Sequence, residues 1–256
     1  MRAVILAGGK GTRLAPYTAV LPKPLVPLGD MPILEILIRR LRHYGICDMT
    51  LAVGHLAQLI MAYFADGARY GVNITYVREE QPLGTAGPLS LVPGLDDTFL
   101  LMNGDLLTSL DCRDLIDFHR RSGASVTVAT CRRSVNIDLG VLVVDSDGLV
   151  RDYIEKPVQQ HDVSMGIYAF EPRVLDHIKP ACRLDLPDLI LRLLGRGEKV
   201  CAYRFDGYWL DVGRPEDYSR AIEEFDRMRG QLLPELTASS NTLGFRPEDN
   251  KCLPGD

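Results

Sequence analysis

Short β-branched or leucine-rich runs recur at Ala3–Leu6, Thr50–Val53, Ile74–Val77, Phe99–Met102 and Val126–Thr130, each fitting a strand buried on both faces. Between them the apolar positions shift to helical spacing. The clearest case runs from Pro32 to Tyr44, where Ile33, Leu37, Leu41 and Tyr44 make one stripe. Pro32 suits a first helical position and Gly45 a left-handed stop. Strands alternating with helices predict an α/β fold with a mainly parallel sheet and right-handed crossovers.

After about residue 131 the pattern loosens into shorter pieces at Val141–Val144, Val150–Ile154, Gly166–Phe170 and Val200–Phe205, with helices expected at Pro187–Leu194 and Pro215–Met228. Asp145, Ser146, Asp147 and Gly148 are turn residues between two strands, which predicts a hairpin. The sheet is therefore expected to continue with some antiparallel pairing and to carry a substrate lobe. No internal repeat is visible. The stretch Leu236–Asp256 is rich in Ser, Asn, Pro and Gly and reads as a poorly ordered tail.

The composition, 46% hydrophobic and 25% charged over 256 residues, suits one continuous globular unit and not two full domains. The expected division is one unit over 1–230, changing pattern near 130, followed by the tail at 231–256. A net charge of −5 argues against a protein that coats nucleic acid, because that affinity comes from neutralising phosphates with Lys and Arg. No apolar run approaches the roughly 20 residues of a membrane span, and the N-terminal run is too short for a signal-peptide core. The six cysteines show neither zinc spacing nor a C-x-x-C pair, so reduced thiols in a cytoplasmic protein are expected. A homo-oligomer is left open.

The most informative segment follows the first predicted strand: Leu6, Ala7, Gly8, Gly9, Lys10, Gly11, Thr12, Arg13 and Leu14. Ligands of open α/β sheets bind at the carboxyl ends of strands. Glycines there let backbone N–H groups approach phosphate oxygens, and Lys10 and Arg13 add cationic donors. The spacing fits neither the Walker loop nor G-x-G-x-x-G, which disfavours a dehydrogenase. Ten residues beyond Arg13, Lys23 stands between Pro22 and Pro24, which bias Leu21 and Lys23 toward extended conformations. Alone, such a lysine is an ordinary loop residue. The five histidines are dispersed and suggest no nucleophilic triad.

The composite of the glycine loop and the segment Pro22, Lys23, Pro24, Leu25, Val26, Pro27 resembles the signature of the sugar-1-phosphate nucleotidylyltransferases. That family includes mannose- and heptose-1-phosphate guanylyltransferases and glucose-1-phosphate thymidylyltransferases. Later landmarks follow in order to about residue 228. The run from Pro82 to Gly87 resembles the nucleoside-contacting loop, and Asn103-Gly104-Asp105 the first metal-binding strand end. Glu155-Lys156-Pro157 resembles the sugar-phosphate contact, and the run from Trp209 to Gly213 the second metal motif.

The resemblance implies a Rossmann-like sheet with a sugar-binding lobe, a catalytic domain over 1–230 with a nucleotide-binding part at 1–130 and a sugar-phosphate part at 131–230, and, given the short tail, no appended left-handed β-helix. It implies Mg²⁺ on Asp105 and Asp211, Arg13 on the outer phosphates of a nucleoside triphosphate, and Lys23 at the reacting phosphates. Leu6, Ala7, Gly8, Gly9, Gly11, Thr12, Arg13, Gln81, Gly84, Thr85 and Asn103 would bind the nucleotide. Gly140, Glu155, Lys156 and Ser164 would bind the sugar phosphate. Two departures leave the hexose open: Ser164 stands where many relatives have Asn, and Leu139 where an aromatic usually precedes the glycine. GTP with a mannose- or heptose-type 1-phosphate is the leading expectation. The alternatives are dTTP or UTP with a glucose-type 1-phosphate, and a non-catalytic nucleotide-sugar sensor.

Overall fold

The computed structural model describes residues 1–235; the expected tail from Leu236 lies outside them. In chain order the strands are β1 Arg2–Ala7, β2 Pro27–Leu28, β3 Met31–Pro32, β4 Asp48–Val53, β5 Asn73–Arg78, β6 Phe99–Asn103 and β7 Leu106–Thr108. They continue with β8 Val126–Asn136, β9 Val141–Val144, β10 Val150–Ile154, β11 Val158–Phe170, β12 Val200–Arg204 and β13 Trp209–Asp211. The α-helices are α1 Ile33–His43, α2 Ala57–Phe64, α3 Cys112–Ser122, α4 Leu186–Gly195 and α5 Pro215–Leu232.

Seven strands form the central sheet in the order β12-β8-β11-β6-β1-β4-β5. All run parallel except β11, which is antiparallel to both its neighbours. This is the mainly parallel mixed sheet, flanked by helices, that the sequence pattern implies. Alternate residues of β1 serve opposite layers: Ala3 and Ile5 pack with Leu37 of α1, Ile60 of α2 and Leu115 of α3, while Val4 packs with Leu189 and Leu193 of α4. Fully burying one such aliphatic side chain stabilises the fold by about 1.5–3 kcal/mol. A third apolar cluster joins Leu14, Val26 and Ile33 to Leu107, Leu210, Tyr218 and Phe225, clamping α5 and the β7–β13 ribbon onto the start of the chain.

Three expectations need correction. The run in β5 is not buried on both faces: Asn73 and Thr75 are exposed while Ile74 is buried, because β5 is the sheet edge and pairs only with β4. The reading of six reduced thiols holds for Cys112, Cys131, Cys182 and Cys201, but Cys47 is disulfide-bonded. A disulfide depends on close approach in space, which dispersed spacing along the chain does not report. Lys23, expected to be extended, opens a 3-10 turn over Lys23–Leu25, in which the Val26 N–H donates to the Lys23 carbonyl at 3.0 Å.

Helix α1 ends as anticipated. Gly45 takes φ 76°, and the N–H groups of Gly45 and Ile46 donate to the carbonyls of Arg42 and Leu41. Helices α2 and α3 went unread, although α3 carries an Asp111 cap that accepts from the Arg113 N–H at 2.8 Å and a left-handed Gly123 after its end. Strand β8 runs unbroken across residue 130, and α5 continues past 230 to bury Leu232. Among the described residues no helix is long and apolar enough to cross a membrane.

Beyond the central sheet, the far halves of β8 and β11 continue as an exposed ribbon, with the β9–β10 hairpin attached. The predicted turn closes this hairpin: Asp145 Oδ1 accepts from the N–H groups of Asp147 and Leu149, and Gly148 sits at φ 81°.

Candidate active site

Because β1, β4, β5 and β6 are parallel, their carboxyl ends bring Ala7, Val53, Arg78 and Asn103 to one edge of the sheet. The loops beyond these ends are tightly packed. The His55 N–H donates to the Gly8 carbonyl at 3.1 Å, and a Cβ on Gly8 would stand 2.5 Å from Glu79 Oε1. Thr18 closes the glycine loop by donating its hydroxyl to the Gly11 carbonyl at 2.7 Å, with Gly11 at φ 62°. Gly9 alone of the loop's three glycines faces open space.

This edge opens into a cleft of about 950 Å³. It is lined by Leu6, Ala7, Gly8, Gly9, Lys10, Gly11, Thr12 and Arg13, joined by Lys23, Gln81, Gly84, Thr85, Asn103 and Asp105. All eleven residues expected on the nucleotide side therefore lie on one surface. The sugar-side residues Gly140, Glu155, Lys156 and Ser164 do not line it; Glu155, Lys156 and Ser164 are exposed on the outer strands and hairpin. Ser164 shares a hydrogen bond of 2.9 Å with the Tyr168 hydroxyl.

At the cleft floor the buried Lys23 Nζ donates to Asp105 Oδ2 and lies 3.8 Å from Asp211 Oδ1. Pairing of β13 with β7 sets Asp211 opposite Leu106, next to Asp105, although 106 positions separate the two carboxylates in the chain. The Val212 N–H donates to the Asp105 carbonyl at 3.1 Å and fixes this register. Burial first, then the charge of Asp105, pushes the Asp211 carboxyl above its usual range. Near Gly213 converge Asp211 and the Arg13 guanidinium, whose Nη2 lies 3.7 Å from the position of a Cβ on that glycine.

Asp105 Oδ1 and Asp211 Oδ1 are buried oxygens with no hydrogen-bond partner. Leaving such atoms unpaired is costly, so two adjacent orphan carboxylate oxygens fit a hard divalent cation. No cluster of three or more His, Cys, Asp or Glu at metal-binding distance occurs among the described residues. Two carboxylates suffice for Mg²⁺, which keeps several waters and takes phosphate oxygens.

The Pro82–Gly87 loop is held by the segment before α4. Gly84 sits at φ 80°, where a Cβ would meet Leu184 O and Asp185 Oδ1, both at 2.6 Å. The Thr85 N–H donates to Asp185 Oδ1 at 3.1 Å, and its hydroxyl oxygen accepts from the Leu186 N–H at 2.7 Å. Sequence reasoning missed Glu79, which lines the cleft beside Gly8 and accepts from the Leu83 N–H at 2.9 Å through Oε2. Burial pushes its carboxyl upward. Its position just past β5 was the available signal, by the same strand-end rule that located the glycine loop.

The nucleotidyl transferase family model matches residues 2–227. Over 92% of its length the chain is 38% identical to a UTP--glucose-1-phosphate uridylyltransferase of Synechocystis, of which it covers 64%. It is 36% identical, over 88% of its length, to a mannose-1-phosphate guanylyltransferase of Mycobacterium tuberculosis, again covering 64% of that protein. The chain thus spans just under two thirds of these curated relatives. Among solved structures it resembles HddC from Yersinia pseudotuberculosis, with TM-score 0.67 and 25% identity over 88% of this chain and 99% of that one. A putative glucose-1-phosphate thymidylyltransferase from Bacillus anthracis gives TM-score 0.69 and 25% identity, over 98% of this chain and 99% of that one. A family match spanning nearly the whole described chain, on a cleft with these carboxylates and this glycine loop, places the protein in the nucleotidyl transferase family.

Proposed function

We propose that the chain joins a nucleoside triphosphate to a sugar 1-phosphate and releases pyrophosphate. An oxygen of the sugar phosphate attacks the α-phosphorus in line; the new P–O bond forms as the bond to the β-phosphate oxygen breaks, and pyrophosphate leaves with those electrons. The observation carrying this reading is that Lys23 and Asp105, which line the glycine-loop cleft, are joined by Asp211 just behind them, 3.8 Å from the lysine. Phosphoryl chemistry leaves a protein mainly positioning and charge neutralisation, which a lysine, an arginine and loop N–H groups supply. Arg13 takes the outer phosphates and Lys23 the charge at the reacting centre. Asp105 and Asp211 would hold Mg²⁺, which when bound neutralises phosphate charge. Glu155 and Lys156 meet the sugar hydroxyls and the sugar phosphate.

GTP with a mannose- or heptose-type 1-phosphate is the favoured pair. Guanine offers an N1–H and N2–H₂ donor edge, and acceptors stand ready in Gln81 and in Glu79, whose Oε1 lies beside Gly8. A second reading, UTP with glucose 1-phosphate, is favoured by the 38% identity to the Synechocystis relative. Pyrophosphate release from GTP, dTTP and UTP, each with mannose, heptose and glucose 1-phosphates, decides among them. A higher kcat/KM for UTP or dTTP with every sugar rejects the guanylyl assignment. Absence of turnover with all pairs, alongside measurable binding, favours a nucleotide-sugar sensor.

A further inference from the structure

The β9–β10 hairpin pairs Tyr153 with Leu142 and Ile154 with Val141, so Tyr153 shares a face with Leu142. Tyr153 is 61% exposed, and its phenol lies directly over Gly140. Its hydroxyl oxygen, Cζ and Cε1 are the three heavy atoms nearest the position a Cβ on Gly140 would take, Cε1 at 2.9 Å and the others nearer. Any side chain at 140 would displace the ring. A second tie fastens the same two segments: the Ile137 N–H donates to the Pro157 carbonyl at 3.1 Å. Between these ties lie Glu155 and Lys156, the latter at φ 44°, a left-handed conformation that non-glycine residues adopt only when their surroundings impose it.

One short span therefore presents an aromatic face, a phenol hydroxyl, a carboxylate and an ammonium group. A sugar phosphate calls for this set: an electron-rich ring face against its C–H face, groups that both donate and accept for its hydroxyls, and a cation for its phosphate. Tyrosine also loses little rotamer freedom on ordering, and the absence of a side chain at Gly140 leaves room for its ring. We infer that Tyr153, seated on Gly140, is a specificity-determining residue for the sugar 1-phosphate, packing its ring on the sugar and meeting a sugar hydroxyl with its own. This rests on the proposed reading of Glu155 and Lys156 as the sugar-phosphate side.

The test is steady-state pyrophosphate release by the full chain, with each substrate varied at saturation of the other. Tyr153→Ala raises the KM for sugar 1-phosphate about tenfold, equivalent to roughly 1.4 kcal/mol, and leaves the KM for triphosphate unchanged. Tyr153→Phe, which keeps the ring and the fold, gives a smaller rise. Gly140→Ala reproduces the Tyr153→Ala effect, and the double variant is no worse than either single one. Unchanged sugar-phosphate KM in both Tyr153 variants, with wild-type turnover present, overturns the tyrosine's role and leaves the transferase reading standing. A parallel rise in both KM values also overturns it, marking a merely structural side chain. Wild-type protein that turns over no pair of substrates overturns the transferase reading and this inference together.

Discussion

The loops on the nucleotide side are fastened to one another by backbone and side-chain hydrogen bonds: Gly8 to His55, Glu79 to Leu83, and Thr85 to the start of α4. The β9–β10 hairpin on the other side is exposed on both faces, with Leu142 at 49% and Val144 at 50% on one and Val143 at 46% on the other. Two strands alone are marginally stable in water, so this hairpin depends on its ties to the β8–β11 ribbon. The contrast suggests a division of labour. On the proposed reading a triphosphate would meet a preformed cradle, in which little ordering remains to be done on binding, whereas the sugar would meet a lighter element that substrate contacts can still order.

Breaking the shared centre should have the largest effect. Asp105→Ala and Asp211→Ala should each lower kcat/KM by about 10²–10³-fold while leaving thermal melting near wild type, because both carboxylates serve charge at the reacting phosphates and not the core. Turnover near wild type in either variant removes that residue from the centre. Breaking the cradle should come next. Gly84→Ala forces a Cβ at φ 80° into Leu184 O, so a loss of about 1–3 kcal/mol in stability and a raised KM for triphosphate are expected. An unchanged Tm would show that the loop is not rigidly seated.

On the lighter side, Lys156→Ala should raise the KM for sugar 1-phosphate by about tenfold with little change for triphosphate, as expected for one charged contact. Equal effects on both substrates would dissolve the two-sided comparison. The smallest effect concerns the base of the sheet, where both halves meet. His119 is buried between Thr127 Oγ1 at 2.8 Å and Glu171 Oε1 at 3.0 Å, and desolvation lowers its pKa against the opposing pull of Glu171. The folded state thus favours the neutral ring, and the unfolded chain binds the extra proton. Stability from this site is present above the unfolded pKa of about 6.5 and declines as pH falls below it toward the folded value. The Tm of His119→Gln should accordingly fall less than that of wild type between pH 7 and pH 5.5. Parallel Tm curves would show that the ring's protonation is not linked to folding.

Much of the site could be read before the fold was known, because the strand-end rule and the glycine spacing are local. Leu6 to Arg13 carries its signal within a few residues, whereas Lys23 between its prolines and Asp105 after an apolar run read as ordinary loop and turn residues until the family resemblance singled them out. Glu79 was missed although it obeys the same rule, since a lone acid after an edge strand is common. Gly84 and Thr85 were expected at the nucleotide, but their anchoring was not legible, because their partners Leu184, Asp185 and Leu186 lie about 100 residues away.

By itself, then, the sequence determined the α/β order, the glycine loop and the hairpin turn, which follow from periodicity, backbone preference and side-chain chemistry within short windows, while the remaining charged groups were singled out by resemblance to a family. Only the tertiary structure decided which charges meet. Strand pairing set Asp211 beside Asp105 and Lys23, the edge position exposed one face of β5, Cys47 found a disulfide, and Tyr153 settled onto Gly140. These are contacts between residues distant along the chain or on separate strands, and their formation depends on long-range packing that no local pattern encodes.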